Sequence, residues 1–372
     1  MKCSRSVTCS AAERFARGAW AAALVAAAAG AQAQEAPPSV SGYFKSLLID
    51  SRSIVPPHDR YTLGLGRLRL ELKGPISDRL SVDVQYDNEL LLGDYLRTGD
   101  FRAAKEREPP TWWHAQANYL DSGHAYGLHR LHRASIAGSF GDTDVRFGRQ
   151  RIAWGTGRFW SPLDILNPPS PTALEREERI GVDAILVEHK LGAVSRAAVV
   201  LAPHHLRRDA SFAAMWHDNR GGLDFSVVAG RFRRDTVAGL DLAGQIGATG
   251  VRAEITRAWG PGGGTRVLLG ADHAFANTVT LSGELFNDGA AVPDRRRHAG
   301  VAVRYELTPL WTTYHELVAN LEDGSRYYRP ALTWSPRENL DLTVGAQFFS
   351  GRPGSELSSL PRVLYLQLQW FF

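Results

Sequence analysis

Cysteine is almost missing from this chain: its 372 residues include two, Cys3 and Cys9, both at the extreme start. They lie in a stretch that reads as a cleavable leader. Lys2, Arg5, Arg14 and Arg17 make it basic, residues 19–29 (A-W-A-A-A-L-V-A-A-A-A) form an apolar run, and Ala31-Gln32-Ala33 offers the small-x-small site that signal peptidase accepts. The run falls short of the roughly 20 residues a membrane-anchoring helix needs. Neither cysteine follows it, which argues against a lipid anchor. Cleavage after Ala33 leaves residues 34–372 as the mature domain, without cysteine. Disulfides, thiolate metal sites and thiol catalysis are excluded there together.

Other absences narrow the field. No later apolar run is long enough for a membrane helix. Long helical patterns are missing, and the one short helix expected lies near 111–120, inside a loop. There is no G-x-S-x-G and no His-x-Ser pattern, and His204-His205 has no serine close by in sequence. A hydrolase site needs a nucleophile with a base in reach, or paired acids. The G-P-G-G-G at 260–264 lacks the Lys-Ser/Thr of a phosphate loop and reads as a turn. His124, His129 and His132 read as solvated loop residues, with no acid–histidine constellation to hold zinc. The expectation is therefore no enzyme, no cofactor and no metal. Lysine is scarce, five of 43 basic residues. Arginine count alone does not support nucleic-acid binding. The leader carries a net of +3 out of the chain's +4, so the remainder is close to neutral at about +1.

What is present is alternation. Leu80, Val82, Val84 and Tyr86 interleave with Ser81, Asp83, Gln85 and Asp87, and Leu340 to Phe348 repeats the pattern. Such segments recur at about ten residues each, closed by Gly, Pro, Asn or Asp. They predict 18 strands, at 41–49, 62–73, 79–91, 131–140, 144–154, 181–191, 193–202, 210–218, 222–232, 236–246, 248–259, 265–275, 277–287, 298–307, 310–321, 325–335, 338–349 and 362–372. Even-numbered joints are tight, and odd-numbered joints hold every long connection, at 50–61, 92–130, 155–180, 288–297 and 350–361. Two odd joints are also short, so 16 strands stays open. The fold class is an all-β, transmembrane, antiparallel up-and-down barrel. Closure has a physical cause: in hydrocarbon each unpaired backbone N–H or C=O costs several kcal/mol, so an edge strand is not tolerated.

The chain ends R-V-L-Y-L-Q-L-Q-W-F-F, with Leu364, Leu366, Leu368, Trp370 and Phe372 on one face. This ending resembles the C-terminal signature of Gram-negative outer-membrane barrels, which their assembly machinery recognises. The stretch R-F-G-R-Q-R-I-A-W-G within 144–181 looks like a strand of porin-like and alginate-export-type outer-membrane barrels. The resemblance implies an outer-membrane location and partners in membrane lipid, lipopolysaccharide and that machinery. It names no solute and no oligomeric state.

Arg67, Arg69, Glu71 and Lys73 alternate with leucines, so they should face the lumen, since an arginine facing lipid at mid-membrane costs about 2–4 kcal/mol. A charged lumen implies water. Within 144–151 the alternation breaks, because Val145 and Phe147 share a face with Arg149 and Arg151, and a bulge or local plug is expected. The loop that follows is the third long one, and in general porins such a loop folds inward. Its acids Asp164, Glu175, Glu177 and Glu178 are then expected opposite Arg67, Arg69, Arg149 and Arg151, with Arg158 beside them, as a charged constriction. The alternative is an exposed loop whose salt bridges matter little. Trp112 and Trp113, in the longest loop, fit a plug at the barrel mouth, a contact with lipopolysaccharide, or a platform on which a sugar face stacks. Tyr327, Tyr328, Trp311, Trp334 and Trp370 fit aromatic girdles. The sequence thus points to passive diffusion of small hydrophilic solutes with a mild anion preference. The alternatives are a polysaccharide or polyanion exporter or importer, a barrel lipase or protease, and a barrel with no open pore.

Overall fold

A computed structural model describes residues 37–107, 111–176 and 179–372. The expected leader with Ala31 and Ala33, and the loop acids Glu177 and Glu178, lie outside the described residues. The strands are β1 (Ser39–Arg52), β2 (Arg60–Ser77), β3 (Leu80–Leu92), β4 (Gln116–Asp121), β5 (Ala125–Phe140), β6 (Thr143–Gln150), β7 (Val182–Lys190), β8 (Arg196–Ala202), β9 (Ser211–Arg220), β10 (Leu223–Phe232), β11 (Asp235–Ile246), β12 (Thr249–Trp259), β13 (Gly264–Ala274), β14 (Val279–Asp288), β15 (Arg297–Thr308), β16 (Trp311–Asn320), β17 (Arg326–Arg337), β18 (Leu340–Ser350) and β19 (Val363–Phe371). Among the described residues one α-helix, α1, spans Gly99–Glu106 in two turns.

Each strand pairs antiparallel with its neighbour, and β3 pairs directly with β5. The ring closes where β1 meets β19, from Tyr43 opposite Phe371 to Asp50 opposite Leu364. Gly42 and Phe372 add two further backbone hydrogen bonds, of 2.9 and 3.0 Å. All strands except β4 form this 18-stave barrel, so each stave is paired on both sides, as a wall in lipid requires. The 18 staves match the predicted strands one for one.

Alternation decides which way each side chain points. Phe44, Leu48, Leu68, Leu70, Leu364, Leu366, Trp370 and Phe372 lie on the outer face and are exposed, while Lys45, Arg67, Arg69, Gln85, Asp87 and Glu89 point inward and are buried. Apolar outside and polar inside inverts the pattern of a soluble protein and is the expected polarity of a barrel whose solvent is lipid. Trp311 and Trp334 stack on the outer face at 5.6 Å, at the short-turn end. Tyr327 departs from the girdle expectation. It points inward and is fully buried, with its hydroxyl accepting from Gln347.

Residues 111–120 are not helical. The helix sits earlier, where the Thr98 hydroxyl accepts the Phe101 N–H, Asp100 occupies the first turn and Lys105 the last. Pro109 and Pro110 follow in the sequence and bar its continuation. Residues 116–121 instead form β4, paired with the upper part of β5, which itself begins at Ala125 and not at 131. The bulge expected within 144–151 is not formed, since β6 keeps an unbroken register with both β5 and β7. β6 pairs with the lower part of β5 and leaves the wall at Gln150. The same column is continued above by β4, running in the same direction. One position in the wall is thus built from two separate pieces of chain.

Candidate pore constriction

Residues 151–181 leave the top of β6 and return at β7. The wall explains why they turn inward. On β7–β11 a patch of the lumenal wall is apolar: Ala184, Leu186, Ala198, Val200, Ala213, Met215, Val228 and Val237 are all buried, and Ile152 and Leu163 of the loop pack on them. Val199 and Leu201 face outward, so β8 is apolar on both faces. Burying a side chain such as Leu163 contributes about 1.5–3 kcal/mol.

A loop inside a barrel must also satisfy its backbone. Wall carboxylates do this. Glu254 accepts the N–H of Thr156 and Gly157 at 2.7 Å and of Leu163 at 3.0 Å, together with the Ser161 hydroxyl. Glu284 accepts the N–H of Arg158 at 2.7 Å and of Phe159 at 2.9 Å. Asp241 accepts the Thr156 hydroxyl at 2.7 Å. Within the loop, Asp164 accepts the N–H of Trp154 and Gly155 at 2.7 and 3.0 Å. Burial pushes the Asp164 carboxyl above its ordinary range, and these two amides and the Arg179 and Arg151 charges only partly offset it.

Farther on, Phe159 is buried among Ala302, Val318, Tyr327 and Leu357. Gly300 of β15 lies under that ring, and any Cβ there would approach it to about 2.9 Å. The loop then reaches β18, β1 and β2. Gln347 donates to the Thr172 carbonyl at 3.2 Å, and Leu174 packs on Leu47, Leu65 and Tyr365. Glu175 meets Lys45 at 3.0 Å and Arg67 at 2.8 and 3.1 Å. Burial raises the Glu175 carboxyl, but the Arg67 and Lys45 charges outweigh it and hold the group below its ordinary range. Arg176 pairs with Glu316 on β16. One loop therefore grips β11–β14 with its first half and β16, β18, β1 and β2 with its second, across the lumen.

The site residues expected from sequence divide accordingly. Arg67 and Glu175 are brought together. Arg69 faces the lumen but is consumed by Asp87, in a bidentate pair of 2.6 and 2.7 Å. Arg158 pairs with Asp272 at 3.0 Å. Asp164 does not stand opposite wall arginines; it ties the loop to itself. Arg149 does not line the lumen. It lies on the outer-face side with Phe147, one residue after Gly148, whose φ of 117° and close approach to the Ala134 carbonyl suit only glycine. Arg149 is buried at the joint between β6 and β4. There it binds Asp183 at 2.8 Å, donates to the Leu131 carbonyl at 2.9 Å and to the Trp113 carbonyl, while the Trp113 N–H donates to Asp183 at 2.7 Å. These bonds replace ladder bonds where the strand is interrupted. His132 is not solvated; it is fully buried beside Asp87.

Sequence reasoning missed the anchoring acids Asp241, Glu254 and Glu284. A signal existed: each is the inward acid of an alternating strand, facing a loop rich in glycine. Arg133 and Arg146 were also missed. Arg133 faces inward opposite Gln85 and lies within electrostatic reach of Asp83 and Glu71 on one side and Arg151 and Arg69 on the other. Arg146 faces inward opposite Leu186 and is exposed.

A closed, lipid-polarity barrel with a loop across its lumen is the fold of the Gram-negative outer-membrane porins. Among solved structures the chain is similar to OccAB1 of Acinetobacter baumannii, with a TM-score of 0.56 and 10% identity over 92% of this chain and 98% of that one. It is equally similar to OccK8 (OprE) of Pseudomonas aeruginosa, with a TM-score of 0.56 and 9% identity over 90% of this chain and 98% of that one. OccAB3 of Acinetobacter baumannii gives 0.56 and 8% over 90% and 99%. No family model matches the chain, and no curated protein matches its sequence. At such identities the likeness speaks for the fold.

Proposed function

We propose that the chain forms a passive outer-membrane pore for small hydrophilic solutes, with a mild preference for anions and no enzymatic activity. One observation carries the reading. The loop across the lumen spends the wall acids Asp241, Glu254 and Glu284 on its own backbone and hydroxyl groups, while Arg133, Arg146 and Arg151 make no ion pair among the described residues. Hydrogen bonding does not cancel the charge of Asp241, Glu254 and Glu284, but they are buried under the loop. Arg146 and Arg151 are exposed, and exposed cations with no ion pair among the described residues bias the potential that a solute meets in a narrow, low-dielectric passage. The terminal strand, with Leu364 to Phe372 on the lipid face, serves as the signal for the assembly machinery. Planar-bilayer recordings test the pore. A salt gradient should give a stable conductance with a reversal potential on the anion side, and Arg133→Gln with Arg151→Gln should move it toward cations. A barrel that conducts no ions, or one whose selectivity ignores both substitutions, refutes the proposal.

A further inference from the structure

On the outer wall, at the short-turn end, a groove of about 500 Å³ is lined by Phe44, Arg337, Asn339, Leu340, Leu368 and Trp370. It straddles the seam of the barrel: Phe44 stands opposite Trp370 across β1 and β19, and Trp370 opposite Leu340 across β19 and β18. Four of its walls are apolar and on the lipid-facing parity. Its rim is the turn between β17 and β18, where the Arg337 side chain makes no ion pair or hydrogen bond among the described residues. Asn339 is engaged with the last strand, its side chain donating to the Phe371 carbonyl at 3.2 Å.

We infer that this groove binds one phospholipid of the periplasmic leaflet, with its phosphate on Arg337 and an acyl chain along Leu340 and Leu368. Three facts fix the occupant. The groove opens to the bilayer, so what fills it in place is a lipid. Short turns mark the periplasmic end of such barrels, where phosphate groups lie level with the aromatic girdle. A guanidinium with no partner among the described residues is complementary to phosphate, which it can bind bidentately. The bound molecule would touch β17, β18, β19 and β1 at once, bridging the seam where the first and last staves meet. This inference rests on the barrel's place in the membrane and not on the pore being open.

Native mass spectrometry of the purified barrel in detergent, titrated with phosphatidylglycerol, tests it. The expected result is one retained phospholipid, not displaced by inorganic phosphate and not replaced by diacylglycerol. Arg337→Glu should weaken retention about tenfold or more, and Arg337→Lys should keep most of it. Arg79→Glu, in the turn between β2 and β3, should leave it unchanged. Heat-modifiable migration in gel electrophoresis and far-UV circular dichroism, measured in parallel, report that the variants are folded. Equal retention by Arg337→Glu, an equal loss with Arg79→Glu, displacement by phosphate alone, or equal binding of diacylglycerol would each overturn the inference.

Discussion

Glu175→Gln isolates the contact between the inward loop and the basic wall. In the wild type, one carboxylate accepts three charge-assisted bonds, from Lys45 at 3.0 Å and from Arg67 at 2.8 and 3.1 Å. Such bonds contribute ~1.5–3 kcal/mol each when buried. The Glu175 side chain is 22% exposed, however, and Arg67 keeps Glu89 as a second partner, so solvent screening lowers the total. An estimate of about 2 kcal/mol for the latch corresponds to roughly a thirtyfold rise in the detached population. Removing the carboxylate also takes one negative charge away from the basic wall at Lys45 and Arg67. Single-channel recording should therefore show two changes: noisier current, from a loop that detaches more often, and a reversal potential shifted toward anions. The pH dependence has a definite sign. Because Glu175 is held below its ordinary range, the latch is complete at neutral pH and is lost only as the pH falls through that depressed value. Below it, wild type and variant should behave alike. Identical noise and identical selectivity at neutral pH would refute the reasoning.

Three further perturbations follow from the same contacts. Glu254→Gln sets an amide donor among three backbone N–H groups, and should cost ~3 kcal/mol or more; hydrogen exchange should speed up at Thr156, Gly157 and Leu163, while unchanged protection there would count against the anchor. Gly300→Ala drives a methyl group against the Phe159 ring and should cost ~1–3 kcal/mol, read as a lower unfolding midpoint, with Phe159→Leu in the same chain restoring part of it. Arg149→Ala removes the clasp between β6 and β4, at ~3–5 kcal/mol for breaking a buried pair. Limited proteolysis should then cut between 111 and 124 while the barrel core resists, and resistance equal to wild type would show that β4 is held by its ladder alone.

The staves were legible because lipid and water impose opposite demands on neighbouring residues, and a period of two records this directly. Leu68 beside Arg67 and Arg69, or Leu366 beside Gln367, leaves no doubt about which side faces which solvent. The alternation is lost where that opposition lapses, without hiding the strand at β8 but hiding it at β4. On β8 the run R-A-A-V-V-L-A is apolar on both faces because a loop, not water, covers the inner one. Near 111–124 the short strand β4 carries few residues, and its place in the wall depends on where β6 departs, a tertiary fact. Charged site residues were harder still. Arg69 and Arg149 look alike by parity or by motif, yet one is spent on Asp87 and the other on a gap in the ladder. Facing inward is written locally, but being free to meet a solute depends on partners far along the chain.

The two-piece column beside β5 separates two jobs that a continuous strand would bind together. Since β4 continues the column on β5 from a segment earlier in the chain, the described residues between Gln150 and Val182 add no strand to the cylinder. Changes there that keep Ile152 and Leu163 over the apolar wall and the amides held by Glu254 can redraw the passage without unpairing a stave. An engineer wishing to retune what such a barrel admits has a region where the hull asks only for those few contacts.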